Sequence, residues 1–319
     1  MYYLKKLYNL LETIPLDNIS YKYELINKGS ISVKNPFISS ILIKRIKLLK
    51  QHMVLYTTIN KVKYTIHIYH NEDSIINFIN YILITIKLIT YFYTKNNTIT
   101  INYYLLDDTK TINNKSIFTG NEVNSGMTNL STNTIDIWRK EEIMKVTLHE
   151  LIHALKLDFT YYDLNNNLVN LYNDRYRLKI KGVMINEAYT DFWAIILNSY
   201  LICIIKNASF YEFNNLIKKD IKFINYQSNK ILSISSGNIN KYTNVFSYYI
   251  LKNELFNSLH IILQYCYENN LQFILINDLT QFINLLINLR KPSTYKINKK
   301  DKWYKTMRMS INSIDIFKS

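Results

Sequence analysis

Apolar and polar positions alternate clearly in several parts of the chain. Residues 53–58, the dipeptide Asn60-Lys61 and residues 62–69 place Tyr64, Ile66 and Ile68 at every second position, which predicts a β-hairpin. Its histidines, His67 and His70, read as surface groups of that hairpin rather than ligands. Residues 75–93 are apolar with Asn77, Asn80 and Lys87 gathered toward one side. A transmembrane helix needs about 20 largely apolar residues without such a stripe, so this segment predicts a packed amphipathic helix. A strand is predicted at 98–106, and a second at 133–138, which is rich in β-formers.

Arg139-Lys140-Glu141-Glu142 then reads as the opening of a helix, its glutamates matching the positive N-terminal dipole. In that helix Ile143, Met144, Val146, Leu148, Leu151, Ile152, Ala154 and Leu155 cover nearly the whole circumference. A helix apolar all round belongs in a core. Further helices are predicted at about 183–205, 208–225, 243–267 and 271–289, with a polar loop at 228–241 that carries Ser235-Ser236-Gly237-Asn238. Residues 1–50 are mixed and point to no function.

The chemistry lies inside the apolar helix, as His149-Glu150-Leu151-Ile152-His153. Residues i and i+4 of a helix share a face, so both imidazoles can reach one ion. Glu150 projects about 100° around the helix from His149, beside the metal's open position, where a carboxylate can take a proton from water. Buried polar groups without partners are costly, and a metal would compensate these three. A catalytic zinc site takes three protein ligands and keeps a fourth position for water. An extended motif with a third histidine fails, because Lys156 and Phe159 occupy its glycine and histidine positions. A glutamate from a second helix is the other common solution, and Asn186-Glu187 supplies it. Asp191, one turn beyond Glu187, could accept the second N–H of a ligating histidine.

His149-Glu150-x-x-His153 followed by Asn186-Glu187-x-x-x-Asp191 resembles the gluzincin pattern of thermolysin-type zinc peptidases. The resemblance covers residues 125–195. It implies one Zn2+ held by His149, His153 and Glu187, with Glu150 as general base and Asp191 orienting the first histidine. The spacing between the two motifs is longer than in thermolysin, which places an insertion at about 161–181. Asn124-Ser125-Gly126, Trp138 to Glu142 and His149 to Phe159 are also similar to uncharacterised predicted metallopeptidases of large A+T-rich DNA viruses.

The fold implied is α+β and zincin-like. A small mixed sheet packs on the active-site helix, followed by a mostly helical C-terminal subdomain. The expected division is 1–50, of unknown role, 51–160 as the upper subdomain, and 161–319 as the helical lower subdomain with the third ligand. An edge strand at 126–129 or 133–138 would pair with extended peptide substrate. Gluzincins also use a downstream Tyr or His to stabilise the oxyanion. Tyr248 is the first candidate, then Tyr249 and His260.

Composition changes the picture little. The chain has 319 residues and is 48% hydrophobic, enough for a sizeable core. Its net charge of +15 could attract nucleic acid, but the lysines are dispersed and no nucleic-acid motif accompanies them, so no specific nucleic acid is expected. Cys203 and Cys266 lie in apolar stretches and read as free thiols. With no signal-peptide pattern at the N-terminus, a cytoplasmic protein is expected, in a host cytoplasm or virion if viral, and not a secreted one. The expected partner is a peptide or protein substrate, without a membrane span; oligomeric state is not legible. Two other classes stay open: a zinc-stabilised binding protein without catalysis, and a basic nucleic-acid-binding protein.

Overall fold

The structure is a computed structural model that describes residues 1–317 apart from 18, 28, 30, 32, 34, 113–117, 160–165, 235–238 and 241. Ser235 to Asn238 of the predicted loop, and the start of the predicted insertion, lie outside the described residues. From the N-terminus the elements are α1 (Tyr2–Glu12), β1 (Lys22–Leu25), α2 (Ser40–Lys47), β2 (Gln51–Ile59), β3 (Val62–His70), α3 (Ile76–Thr90) and β4 (Asn97–Tyr104). Next come α4 (Gly120–Val123), β5 (Gly126–Asn129), β6 (Thr134–Ile137) and α5 (Ile143–Ala154). The remainder is helical: α6 (Asn166–Tyr176), α7 (Ile185–Ile205), α8 (Phe210–Ile234), a π-helix (Phe246–Leu251), α9 (Lys252–Asn257), α10 (Leu259–Asn269) and α11 (Leu279–Ile287). The fold class is α+β. The chain divides into a sheet unit (Glu12–Thr109, Asn124–Leu157, Ser313–Ser319) and a helical unit (Met1–Leu11, Lys110–Val123, Asp158–Asn312).

In the sheet unit the six described strands form one mixed sheet in the order β1-β2-β3-β4-β6-β5. The hairpin is β2–β3, closed at Ile59↔Val62 by a two-residue turn. Asn60 takes the left-handed φ of 50° there, a conformation Asn tolerates well. β3, β4 and β6 run parallel, and α3 makes the crossover from β3 to β4. One face of the sheet carries α3 and α5. Phe78 of α3 meets the Tyr103 ring edge-on, and the Tyr103 hydroxyl bonds Thr147 of α5 at 3.0 Å. The opposite face is covered by Ile31, Ile38, Leu42, Ile46 and Leu49, packed with Tyr104, Leu106 and Trp138. β1 and β5 are the edges, whereas β6 is paired on both sides. The candidate substrate edge is therefore 126–129 and not 133–138.

Two sequence expectations are corrected in the sheet unit. α5 begins at Ile143, because Glu142 turns left-handed at φ 58° and cannot extend the helix backwards. The charges of the preceding turn serve tertiary contacts instead: Arg139 donates to the Asn124 carbonyl, and Lys140 pairs with Asp107 and Glu72. The hairpin histidines are not surface groups. His70 is buried, and His67 is half-buried with its Nδ1 at 3.1 Å from His52 Nε2. Burial pushes all three of these imidazoles below their ordinary value.

In the helical unit, α7 is long and apolar enough to cross a membrane by length and composition, and 89% of that window is buried inside the protein. The predicted loop from 228 fails at its start, since α8 runs on to Ile234. Its polar residues are buried because they clasp a distant segment. Asn229 Oδ1 accepts from Tyr295 N, Gln227 donates to the Thr306 carbonyl, and Lys230 Nζ donates to the carbonyls of Trp303, Tyr304 and Thr306. The single helix expected at 243–267 is a π-helix, α9 and α10, broken at Ser258. The helix expected from 271 begins only at Leu279, after left-handed Gln272 and Phe273, where Asp278 caps it by accepting from Gln281 N. Cys203 and Cys266 are free and buried, and burial lifts their thiols to about 11 and about 12.

Asp220 of α8 fastens the end of this unit. It is wholly buried and accepts from Ser199, Ser310, Asn312 and the Ile311 N–H. Burial outweighs these donors and raises its carboxyl above the ordinary 3.8. Such a group stabilises the fold fully below 3.8, and that contribution is lost as pH rises through the folded value. The stability difference between wild type and Asp220→Asn should therefore shrink steadily as pH rises from 4, measured by urea unfolding. A difference that grows with pH would show the carboxylate to be the favoured form.

Candidate metal centre

Every residue of α5 is buried except His153, which is half-buried. His149 and His153 stand one turn apart, with their Nε2 atoms 3.2 Å apart and their rings at 77°. Glu150 lies against β5. Thr128 Oγ1 donates to its Oε2 at 2.8 Å and reaches its backbone carbonyl at 2.9 Å. Strand and helix approach so closely that a Cβ on Gly126 would stand 2.6 Å from Glu150 Oε1 and 2.8 Å from Val146 Cγ1. Glycine is required at this position by the contact. The neighbouring Thr128 fixes the carboxylate that glycine admits.

Glu187 sits in the first turn of α7, half-buried, and the Tyr248 hydroxyl donates to its Oε2 at 2.8 Å. Tyr248 belongs to the π-helix, whose i→i+5 hydrogen bonds widen the turn and shift the aim of side chains relative to an α-helix. One turn along α7, Asp191 is fully buried and accepts from the equally buried Lys252 Nζ at 2.5 Å. Lys252 also donates to the Met309 carbonyl. The remaining sequence candidates point elsewhere. Tyr249 donates to the Met307 carbonyl at 2.6 Å, and His260 packs edge-on against Tyr3.

Ligand atoms of His149, His153 and Glu187 all lie within 4.8 Å of one another, and the group could hold a metal ion. No other group of three or more such residues occurs among the described residues. Glu150 is adjacent to His149 in the chain, and Tyr248 bonds Glu187. Two residues escaped the sequence reading. Thr128 gave no signal beyond its place in the candidate edge segment. Lys252 did give one, as a lysine directly following Ile250 and Leu251 in an apolar run.

No protein-family model matches the chain, and no solved structure matches it. Over 129 residues the chain is 30% identical to "Uncharacterized protein R210" of Acanthamoeba polyphaga mimivirus. The chain is similar to a viral protein. The matched stretch spans 39% of this chain and 32% of that relative, so about a third of the relative's length is covered.

The Gly126 contact is directly testable. Gly126→Ala should cost about 1–3 kcal/mol of stability, the usual penalty for overpacking. Gly182→Ala, where an added Cβ meets nothing within 4 Å, serves as the control and should change stability by less than about 0.5 kcal/mol. Equal melting temperatures for wild type and Gly126→Ala would show that β5 does not press on Glu150.

Proposed function

We propose that the protein is a zinc-dependent metallopeptidase with a zincin-like fold and a gluzincin-type ligand set. The observation that carries this reading is the gathering of His149, His153 and Glu187 next to a carboxylate, Glu150, held by a hydrogen bond from Thr128. The donor set fits the ion: two imidazole nitrogens, each about 2.0–2.1 Å from one tetrahedral zinc, stand about 3.3 Å apart. The pair here stands at 3.2 Å. Two histidines and one glutamate are also a donor set that leaves a position open for catalysis.

When bound, zinc supplies a Lewis acid for the scissile carbonyl and lowers the pKa of a water toward about 7. Glu150 takes the proton from the attacking water and passes it to the leaving amine as the C–N bond breaks. Thr128 keeps that carboxylate aimed. Extended peptide adds to the open edge of β5, where main-chain hydrogen bonds hold the scissile bond in register. Tyr248 supplies a hydroxyl for the developing oxyanion, and Asp191 is assigned to the N–H of the first histidine. A reading without catalysis has no use for Glu150 beside the ligands.

One equivalent of zinc should co-purify and be retained in Glu150→Gln, while hydrolysis of a peptide library falls by about 10²–10⁴-fold. Glu187→Ala should weaken zinc binding as well as activity. Undiminished hydrolysis by Glu150→Gln would overturn the mechanism, and undiminished zinc affinity in Glu187→Ala would overturn the ligand set. Tyr248→Phe should lower kcat by about 10²-fold or more with KM little changed, the pattern of a group acting in the transition state.

A further inference from the structure

At the edge of the sheet opposite β5, strand β1 is paired on one side only among the described strands, with β2. All four of its residues are exposed, including Tyr23 at 59% and Leu25 at 71%. An exposed edge strand presents a row of backbone N–H and C=O groups that is a template for another strand. The pattern of β1 itself indicates what that strand is. The Ile26 N–H donates to the His52 carbonyl, so the backbone of the even-numbered residues faces β2. That of Tyr21, Tyr23 and Leu25 therefore faces outward. A second copy of β1 can pair antiparallel about a two-fold axis only where outward residues oppose outward residues. Setting Tyr21 against Tyr23 would place Lys22 against Lys22, and setting Tyr23 against Leu25 would place Glu24 against Glu24. Setting Tyr23 against Tyr23 instead opposes Lys22 to Glu24 on both sides of the axis and Tyr21 to Leu25. Of these registers, only the last satisfies backbone and charge together.

We propose that β1 is a homodimerisation edge, at which two copies pair antiparallel about Tyr23 and join their sheets into one. Oppositely charged cross-strand pairs stabilise such a junction, and like charges directly opposed destabilise it. Sedimentation equilibrium over a range of concentrations, on the full chain, tests this. Wild type should show a concentration-dependent dimer. Lys22→Glu or Glu24→Lys alone should weaken it by about tenfold or more, through opposed like charges. The combined Lys22→Glu/Glu24→Lys variant should restore it. Both substituted side chains are exposed, and circular dichroism should confirm unchanged folds in all three variants. A wild type that stays monomeric throughout, or a dimer indifferent to the single substitutions, would overturn the proposal. So would a double variant as weak as the single ones.

Discussion

The close approach of β5 to α5 is the constraint on which the arrangement of the sheet unit depends. A carboxylate on a core helix needs room and a hydrogen-bond donor, since leaving it without either is costly. Gly126 supplies the room by having no side chain where Glu150 lies, and Thr128 supplies the donor two residues on. Both come from the same short strand, and a strand offers residues i and i+2 on one face. β5 can hold that place because it is antiparallel to β6 and stands at the sheet's edge, with no described strand on its other side. An inner position would have paired both of its edges.

The helical unit solves a related problem by giving its buried carboxyl groups partners. Asp191 meets Lys252, Glu254 takes Arg175 and Tyr176 together, and Asp220 collects four neutral donors. Removing one partner of a buried ion pair typically costs about 3–5 kcal/mol, so Asp191–Lys252 and Arg175–Glu254 each lock two chain segments to each other. The Glu254 network ties α6 to α9. The Asp220 network ties residues 310–312 to α7 and α8. The Asp191–Lys252 pair and the Asp220 network, through Ser199, both hold the helix that carries Glu187, which suits a residue proposed to ligate an ion.

Much of this was legible in the chain, and what was not shares one cause. Period-two alternation in Tyr64, Ile66 and Ile68 gave the hairpin, and the all-round apolar surface of 143–155 gave the buried helix, because both are local patterns. The spacing of His149, Glu150 and His153 is equally local. Errors arose where a local pattern is overruled at a distance. Asn229 and Lys230 look like the start of a loop, yet they are helical and buried because residues 295–306 supply their partners. The position of Glu142 in the left-handed region, and of the π-helix within a continuous apolar run, likewise depends on tertiary packing. No periodicity announces either. Lys252 sits in that class as well: the sequence shows a lysine in apolar company, but only the fold shows that Asp191 is its partner.

Tyr248 sets the sharpest demand on the proposed chemistry. A phenol has one O–H to donate, and here that proton goes to Glu187 Oε2. Donation to an oxyanion and donation to Glu187 therefore exclude each other at any one moment. If Tyr248 serves the transition state, its hydroxyl must leave the carboxylate as the oxyanion forms, and Glu187 must gain electron density toward the metal when it does. A single side-chain rotation would then couple ligand basicity to the reaction coordinate. A tyrosine fixed to Glu187 throughout would instead only orient the ligand. Its loss would then weaken the metal's hold rather than slow the chemistry alone.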